Sequence, residues 1–228
     1  MTPAEDPSLA DLGEWELIER LAAFAPPGQF ADDAALVDLS GPLVVNTDVL
    51  VEGVHFSDAS TSGFDVGWRA AAANLSDLAA MGCRDACGLT VGLVAPGSTP
   101  WSWVEAVYCG LRTCLEPHGG LLLGGDCSSG AQRLLAVTAL GALARSTVGR
   151  AGVIRRSDGR PGDSLVSTGP HGLSRLGLAL LLGALPEQAV EGLEQPLLDR
   201  AIRAHQRPRA RLDAVAALHA SRPGGTPW

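Results

Sequence analysis

One carboxylate stands inside an otherwise apolar segment built from small residues. Asp77 lies within residues 74–82, which read Asn-Leu-Ser-Asp-Leu-Ala-Ala-Met-Gly. An acid in an apolar helical setting needs a counter-charge, and a bound cation would supply it. The alternative interpretation is a solvent-facing stripe of the helix. We favour a functional role for Asp77.

Three further acidic positions have residue types suited to the same site. Asp32 follows an open loop, Asp48 ends the tripeptide Asn-Thr-Asp, and Asp126 follows two glycines. Magnesium prefers oxygen ligands and often binds through a few carboxylates together with substrate phosphates. Taken singly, each acid has an ordinary explanation as a cap, a strand end or a turn residue. Together with Asp77 they predict a magnesium site that handles phosphate.

Other residues suggest how phosphate would be held. Gly124–Asp126 follows three leucines, which predicts a buried strand ending in a flexible turn where backbone amides can approach phosphate. There is no P-loop and no protein-kinase signature. The chain has no lysine, so Arg155 and Arg156 are candidate partners for nucleotide phosphate, with a solvated linker as the alternative. His55 is a candidate substrate contact, although a lone histidine is more often structural.

Composition bounds the class of protein. The 228 residues suffice for one large or two small domains, and 46% hydrophobic with 18% charged residues suits a globular chain. A formal charge of -8 disfavours nonspecific nucleic-acid binding. With neither a leader nor an apolar run long enough for a bilayer, we expect a cytoplasmic protein with no nucleic-acid or membrane partner. Five cysteines without Cys-x-x-Cys spacing predict reduced, mostly structural thiols.

Periodicity predicts an α+β fold over the first 145 or so residues, with helices on one face of a mixed, mainly antiparallel sheet. We divide the chain into an N-terminal helical segment (1–27), an N-terminal domain with the predicted magnesium and phosphate site (28–147) and a partial, incomplete α/β C-terminal domain (148–228). Helices are predicted over 14–24, 64–81, 101–115, 173–182, 196–205 and 208–220. Strands are predicted over 34–37, 43–51, 86–94, 120–123, 134–144 and 164–168.

Several of these segments resemble one family when taken together. Residues 46–56, 74–82 and 123–126 resemble the thiamine-monophosphate kinases in motif, order and spacing, and 156–163 and 205–208 are similar to later segments of that family. The resemblance covers about residues 12 to 220. It implies that residues 28–147 form an ATP- and magnesium-binding N-terminal domain like that of aminoimidazole ribonucleotide synthetase, whose superfamily consists of ATP-using dimers.

The resemblance also implies an activity and its partners. The reaction would be ATP-dependent phosphorylation of thiamine monophosphate to thiamine diphosphate by direct in-line transfer, with magnesium neutralising charge. ATP would be the co-substrate, and a homodimer would form through the N-terminal domain.

Residue roles follow from the resemblance position by position. It implies that His55 contacts thiamine phosphate, and that Asp48, Asp77 and Asp126 are catalytic. Asn46 stands where the family commonly has serine, and its carbonyl oxygen can still serve as a ligand. The implied magnesium ligands are Asp32, Asn46, Thr47, Asp48, Asp77 and Asp126, and the implied ATP contacts are Gly125, Asp126 and Arg156.

Two later motifs of the family, Asp-x-Ser-Asp-Gly-Leu and Gly-Glu-Asp-Tyr, have no counterpart in this chain. We therefore expect a kinase whose C-terminal domain is cut short. Two alternatives stay open. One is a noncatalytic fragment that binds magnesium-nucleotide or dimerises with intact chains. The other is a related enzyme with a different phosphate acceptor.

Overall fold

The computed structural model describes residues 6–30, 34–38, 41–143 and 152–220. The strands are β1 (Leu43–Val51), β2 (Gly88–Ala95), β3 (Leu121–Ser129) and β4 (Leu134–Ala142). The helices are α1 (Leu9–Ala22), α2 (Gly63–Ala80), α3 (Trp101–Leu115), α4 (Leu173–Leu181), α5 (Glu187–Val190), α6 (Gln195–Gln206) and α7 (Leu212–Ala220). Short 3-10 turns occupy Glu116–His118 and Arg156–Asp158.

The four strands form one sheet in the order β1-β4-β2-β3. β4 is antiparallel to both β1 and β2, whereas β2 and β3 are parallel. The parallel pair needs a crossover connection, which α3 supplies. The predicted α+β fold with a mixed, mainly antiparallel sheet is therefore confirmed.

The two faces of the sheet have different surroundings. Val91, Leu93, Leu135 and Val137 point into the core, where α2 and α3 cover them. The residues that alternate with them form an outer face that no described helix covers, and Val45 on that face is 56% exposed. The prediction that helices lie on one side of the sheet is thus also confirmed.

Helix α2 has defined signals at both ends. Ser62 and Asp65 form a capping box: the Ser62 hydroxyl accepts from the Asp65 backbone N–H at 3.2 Å and the Asp65 carboxylate accepts from the Ser62 backbone N–H at 3.3 Å. At the other end Gly82 has a φ of 94°, a left-handed conformation that favours glycine. A Cβ there would also lie 2.5 Å from the Gly152 carbonyl oxygen, so the segment after the sheet domain packs directly on this helix end.

Two predicted strands are wrong. Residues 34–37 are irregular and make no ladder with β1, and Leu36 is 96% exposed. Residues 164–168 are also irregular and exposed, since no described strand lies beside them to accept their backbone hydrogen bonds. A short apolar run indicates a strand only if a partner edge is available. In its described part, the chain after residue 151 consists of helices, turns and loops.

The cysteine prediction holds within the sheet domain. All five cysteines are free. Burial raises the pKa of the Cys83 thiol to about 11 and that of Cys114 to about 12. These thiols are therefore protonated near neutral pH and suit a structural role. None of the helices within the described ranges has both the length and the apolar character needed to cross a membrane.

Candidate active site

Strand β1 sends alternate side chains to opposite faces of the sheet. Asn46 reaches α2, where its Nδ2 donates to Asn74 Oδ1 at 2.9 Å and to Asp77 Oδ2 at 3.3 Å. Thr47 lies on the outer face, with its hydroxyl 2.8 Å from that of Thr138 on β4. Asp48 is again on the α2 side and lines a pocket there. The structure thus brings Asn46, Asp48 and Asp77 to one edge of the sheet and points Thr47 away from them.

The surroundings of Asp77 differ from those expected. Its side chain is exposed rather than buried among the apolar residues of α2, so burial does not create the need for a counter-charge. Its proximity to Asn46 is the stronger sign of a cation site. Both hydrogen bonds of the Asn46 amide are donated by Nδ2, so they fix the orientation of the amide group. Its oxygen, Oδ1, is buried without a hydrogen-bond partner in the described structure. An unpartnered buried carbonyl oxygen next to a carboxylate fits the ligand preference of magnesium.

Asp126 lies on the opposite edge of the sheet. Asp48 pairs with Val137, Val137 with Val91, and Val91 with Gly125. Three strand spacings of about 4.8 Å place this end of β3 roughly 14 Å from Asp48. The Asp126 carboxylate is exposed and accepts from the Ser128 hydroxyl at 3.3 Å. No group of three or more His, Cys, Asp or Glu side chains that could hold a metal exists among the described residues of this single chain.

The turn predicted at Gly124–Asp126 is not formed, because β3 continues to Ser129. The pairing of β2 and β3 is irregular between Leu89 and Thr90, and the strands come very close just beyond that point. A Cβ on Gly125 would lie 1.9 Å from the Val91 carbonyl oxygen. The close approach of the two strands therefore accounts for this glycine.

Asp32 lies outside the described residues, but the segment before it is placed. The Gln29 side chain donates from Nε2 to the Leu123 carbonyl oxygen at 3.1 Å, and Phe30 packs against the core. The chain therefore runs along β3 shortly before it reaches the Asp32 position.

His55 sits in a tight turn after β1. Gly53, with a φ of 77°, donates from its backbone N–H to the Phe56 carbonyl at 2.8 Å. The Nδ1 atom of His55 accepts from the Val51 backbone N–H at 3.1 Å. In a neutral imidazole the proton is then on Nε2, which makes that nitrogen a hydrogen-bond donor for a ligand oxygen.

Arg133 fixes this turn from β4. Its guanidinium pairs with Glu52 and, at 2.7 Å, with Asp58, and it lies 4.7 Å from the centre of the Trp103 ring. The hydrogen bond from Arg133 lowers the pKa of the Glu52 carboxyl. Glu52 therefore holds the His55 turn in place rather than joining the chemistry.

A pocket of about 400 Å³ opens between α2 and the C-terminal helices. Arg69 and Ser76 enter it from α2, and Ser174 and Arg209 from the C-terminal region, and none of these four was predicted from the sequence. Arg69, Ala72, Ala73 and Ser76 follow an i, i+3, i+4, i+7 pattern, which is the signal that could have identified this helix face. The full lining is Asp48, Val49, Leu50, His55, Arg69, Ala72, Ala73, Ser76, Ser174, Pro208 and Arg209.

The connection between α6 and α7 forms one wall of the pocket and is held by several hydrogen bonds. Trp68 donates from its indole nitrogen to the Pro208 carbonyl at 2.8 Å. Gln206 donates to the Ser60 carbonyl at 3.1 Å. The Arg207 guanidinium pairs with the buried Asp65 at 2.7 Å. The motif at residues 205–208 thus docks the C-terminal helices on α2.

Protonation of His205 is expected to loosen this wall. Burial, followed by the nearby Arg69 cation, lowers the pKa of His205 below its ordinary value of about 6.5. A histidine with a lowered folded-state pKa contributes stability above the unfolded-state value, and that stability falls as pH drops through the folded-state value. Thermal unfolding between about pH 7.5 and about pH 5.5 should show a fall in Tm that is smaller in His205→Gln. Equal falls in both proteins would contradict this assignment.

Arg156 lies in the exposed 3-10 turn at Arg156–Asp158. Two residues earlier, the Ile154 backbone N–H donates to the Met81 carbonyl at 3.1 Å, which places this segment at the C-terminal end of α2, one turn beyond Asp77. Its guanidinium has no ion pair with another described residue.

Comparison with known proteins gives a consistent assignment. Residues 31–143 match the family described as AIR synthase related protein, N-terminal domain. The thiamine-monophosphate kinase of Prochlorococcus marinus is 48% identical over 223 residues, covering 96% of this chain and 64% of the relative. That of Synechococcus elongatus is 49% identical over 225 residues, covering 98% and 65% respectively. The chain therefore spans just under two thirds of the length of these relatives.

A solved structure agrees with the sequence relatives. The structure of AaThiL complexed with AMPPCP and TMP superposes with a TM-score of 0.67 at 30% identity, covering 96% of this chain and 65% of that one. The sheet, its helical cover and the matched range define an AIR synthase-related N-terminal domain. Within that class, the chain is similar to thiamine-monophosphate kinases over almost its whole length. The matched range falls within the predicted 28–147 domain, while the two boundaries between the three predicted segments stay predictions.

Proposed function

We propose that this chain carries out ATP-dependent phosphorylation of thiamine monophosphate to thiamine diphosphate. The similarity to thiamine-monophosphate kinases supports the proposal, as does the related AaThiL structure, which holds AMPPCP, an analogue of ATP, together with TMP. The observation in this chain that carries it is the Asn46–Asp77 pair, which lies beside the pocket that His55 and Asp48 line.

Each residue has a role in this proposal. Magnesium, when bound, supplies charge neutralisation for the transferred phosphoryl group. Asn46, Asp48 and Asp77 would hold it through side-chain oxygens at one edge of the sheet. Asp126 lies at the opposite edge, so its proposed part in the oxygen set requires a second copy of the chain. Asp32 is proposed as a further ligand. Gly125 and Arg156 are proposed as nucleotide contacts. His55, held by its Nδ1 hydrogen bond, would donate from Nε2 to the acceptor phosphate.

A homodimer through the N-terminal domain is part of the proposal. The outer sheet face exposes Leu43, Val45 and Val49 on β1 and Leu121 on β3, which is an apolar surface suited to pairing with a second copy. Thr47 lies on this face and would then be at the interface, where its proposed contact with magnesium would form.

Charge placed on the outer face should prevent pairing. Light scattering after size-exclusion chromatography should give about twice the 23.5 kDa chain mass for the unchanged protein and the single-chain mass for Val45→Asp. Leu36→Asp adds the same charge at an exposed position outside the four strands and should leave the dimer intact. A monomeric unchanged protein would contradict the dimer.

A second candidate function is binding of magnesium-nucleotide without catalysis. The separation of Asp126 from Asp77 in the single chain favours it. Incubation with ATP, magnesium and thiamine monophosphate, with chromatography of thiamine diphosphate, separates the two. Product that Asp126→Asn abolishes supports the kinase, and folded protein that binds ATP but yields no product supports the second candidate. Product only with another phosphorylated acceptor would point to a different enzyme of the superfamily.

A further inference from the structure

The pocket contains a positive charge without a direct acidic partner. Arg69 donates from Nη1 to the His205 carbonyl and from Nη2 to the His55 carbonyl at 3.5 Å, and both acceptors are neutral peptide oxygens. No ion pair within the described ranges includes Arg69. Its charge is therefore available to an anion that enters the pocket.

The guanidinium of Arg69 also has unused donors. An arginine head group carries five N–H donors in a planar fork. The Nε atom is buried and has no hydrogen-bond partner in the described structure. The two carbonyl contacts, with Nη1 also 3.4 Å from His205 Nδ1, orient the group and leave part of the fork free, which resembles a preformed anion site more than a satisfied structural arginine.

Burial makes this cation costly in the absence of a ligand. Desolvation lowers the pKa of Arg69, and the nearby Asp65 only partly opposes this effect. Asp65 is itself paired with Arg207 at 2.7 Å. An incoming anion would offset the free-energy cost of desolvating Arg69. Anion binding would therefore be strengthened, because folding leaves the charge of Arg69 uncompensated.

The second arginine of the pocket is in a different situation. The Arg209 side chain is largely exposed and pairs with Asp213 at 3.0 Å. On the β1 side the pocket presents Asp48, which is an acid. The pocket therefore has an acidic wall near the Asn46–Asp77 pair and a cationic wall at Arg69, with the Ser76 and Ser174 hydroxyls also lining it.

We propose that Arg69 binds the phosphate group of the acceptor, so that it distinguishes a phosphate ester from the same molecule without its phosphate. The proposal rests on the proposed function. Selectivity for a phosphorylated acceptor would then come from Arg69 of the chain itself as well as from the metal. The planar fork suits two phosphate oxygens, and the two carbonyl contacts hold it at the pocket wall.

Isothermal titration without ATP tests this, with thiamine monophosphate and thiamine as the paired probes. The unchanged chain should bind the phosphate ester about 10- to 100-fold more tightly than thiamine, as expected for hydrogen bonds to a charged group. Arg69→Met should abolish the preference and leave thiamine binding unchanged. Arg69→Lys, which keeps the charge but loses the fork, should retain part of it. Arg175→Met removes an equal charge close to Ser174 but outside the pocket lining, and should retain the full preference.

Three results would overturn the inference. The first is that Arg69→Met keeps the full preference for thiamine monophosphate over thiamine. The second is that a folded Arg69→Met or Arg69→Lys protein loses affinity equally for both probes. The third is that the unchanged chain shows no preference. The equal loss would mean that Arg69 only supports the pocket wall. The kinase assay tests the proposed function separately. If Arg69→Met turns over thiamine monophosphate with an unchanged KM, the role of Arg69 is wrong and the kinase function stands. If the unchanged chain prefers the phosphate ester but shows no turnover, the role of Arg69 stands and the kinase function is wrong.

Discussion

Asp77→Asn is expected to weaken magnesium-dependent nucleotide binding by at least about 100-fold while leaving the protein folded. The carboxylate is exposed, and its one hydrogen bond, from Asn46 Nδ2, can be accepted by the amide oxygen of the substituted residue. Stability should therefore change by less than about 0.5 kcal/mol. What the substitution removes is one anionic oxygen beside the unpartnered Asn46 carbonyl.

Nucleotide binding measured at several magnesium concentrations, with urea unfolding in parallel, checks this prediction. Asp85→Asn is the matched control, because it removes an equally exposed acid shortly after the same helix. If Asp77→Asn and Asp85→Asn show the same magnesium dependence as the unchanged chain, Asp77 is not a ligand. A large loss of stability in Asp77→Asn would instead indicate a structural role.

Gly67→Ala is expected to destabilise the fold by about 3 kcal/mol or more, even though alanine is favoured over glycine in a helix by about 1 kcal/mol. Helices α2 and α3 cross in close contact. A Cβ on Gly67 would lie 1.9 Å from the Val107 carbonyl oxygen, and one on Gly110 would lie 2.0 Å from that of Phe64. Backbone atoms cannot turn aside as a flexible side chain can, so the helices must separate and open the core.

Urea unfolding monitored by tryptophan fluorescence would measure the loss. Gly124→Ala serves as the control, since its added methyl group would meet open space and its φ is not positive. A Gly67→Ala protein as stable as Gly124→Ala would show that the two helices can move apart without cost. The same separation would shift Arg69, which follows two residues later on α2.

Local sequence signals predicted the sheet domain well where one segment determines its own structure. The predictions for β1 over Leu43–Val51 and α3 over Trp101–Leu115 match the observed bounds, and α2 is displaced by one residue at each end. These elements have strong periodicity or clear caps. Residues 34–37 and 164–168 have only a short apolar run, and whether such a run forms a strand depends on a neighbouring edge that the sequence does not show.

The candidate site was predictable in its parts but not in its arrangement. Asn46 and Asp77 are far apart in sequence, and their residue types together with the family resemblance suggested a common site, which their 3.3 Å contact supports. The same reasoning placed Asp126 with them. The order β1-β4-β2-β3 puts β1 and β3 on opposite edges, and no local pattern encodes that order. Arg69 was missed because a single arginine in an alanine-rich helix gives no motif of its own, although the face that it shares with Ala72, Ala73 and Ser76 has a recognisable helical spacing.

The way in which α2 holds the neighbouring wall bears on how this pocket can be redesigned. Trp68 and Arg69 bind the carbonyl oxygens of Pro208 and His205, so they recognise the path of the main chain and not the identity of the side chains along it. Arg209 projects into the pocket from that same stretch. A library randomised at position 209 would therefore vary the chemistry facing a ligand while the scaffold that presents it stays in place, which makes this position a natural starting point for altering acceptor choice.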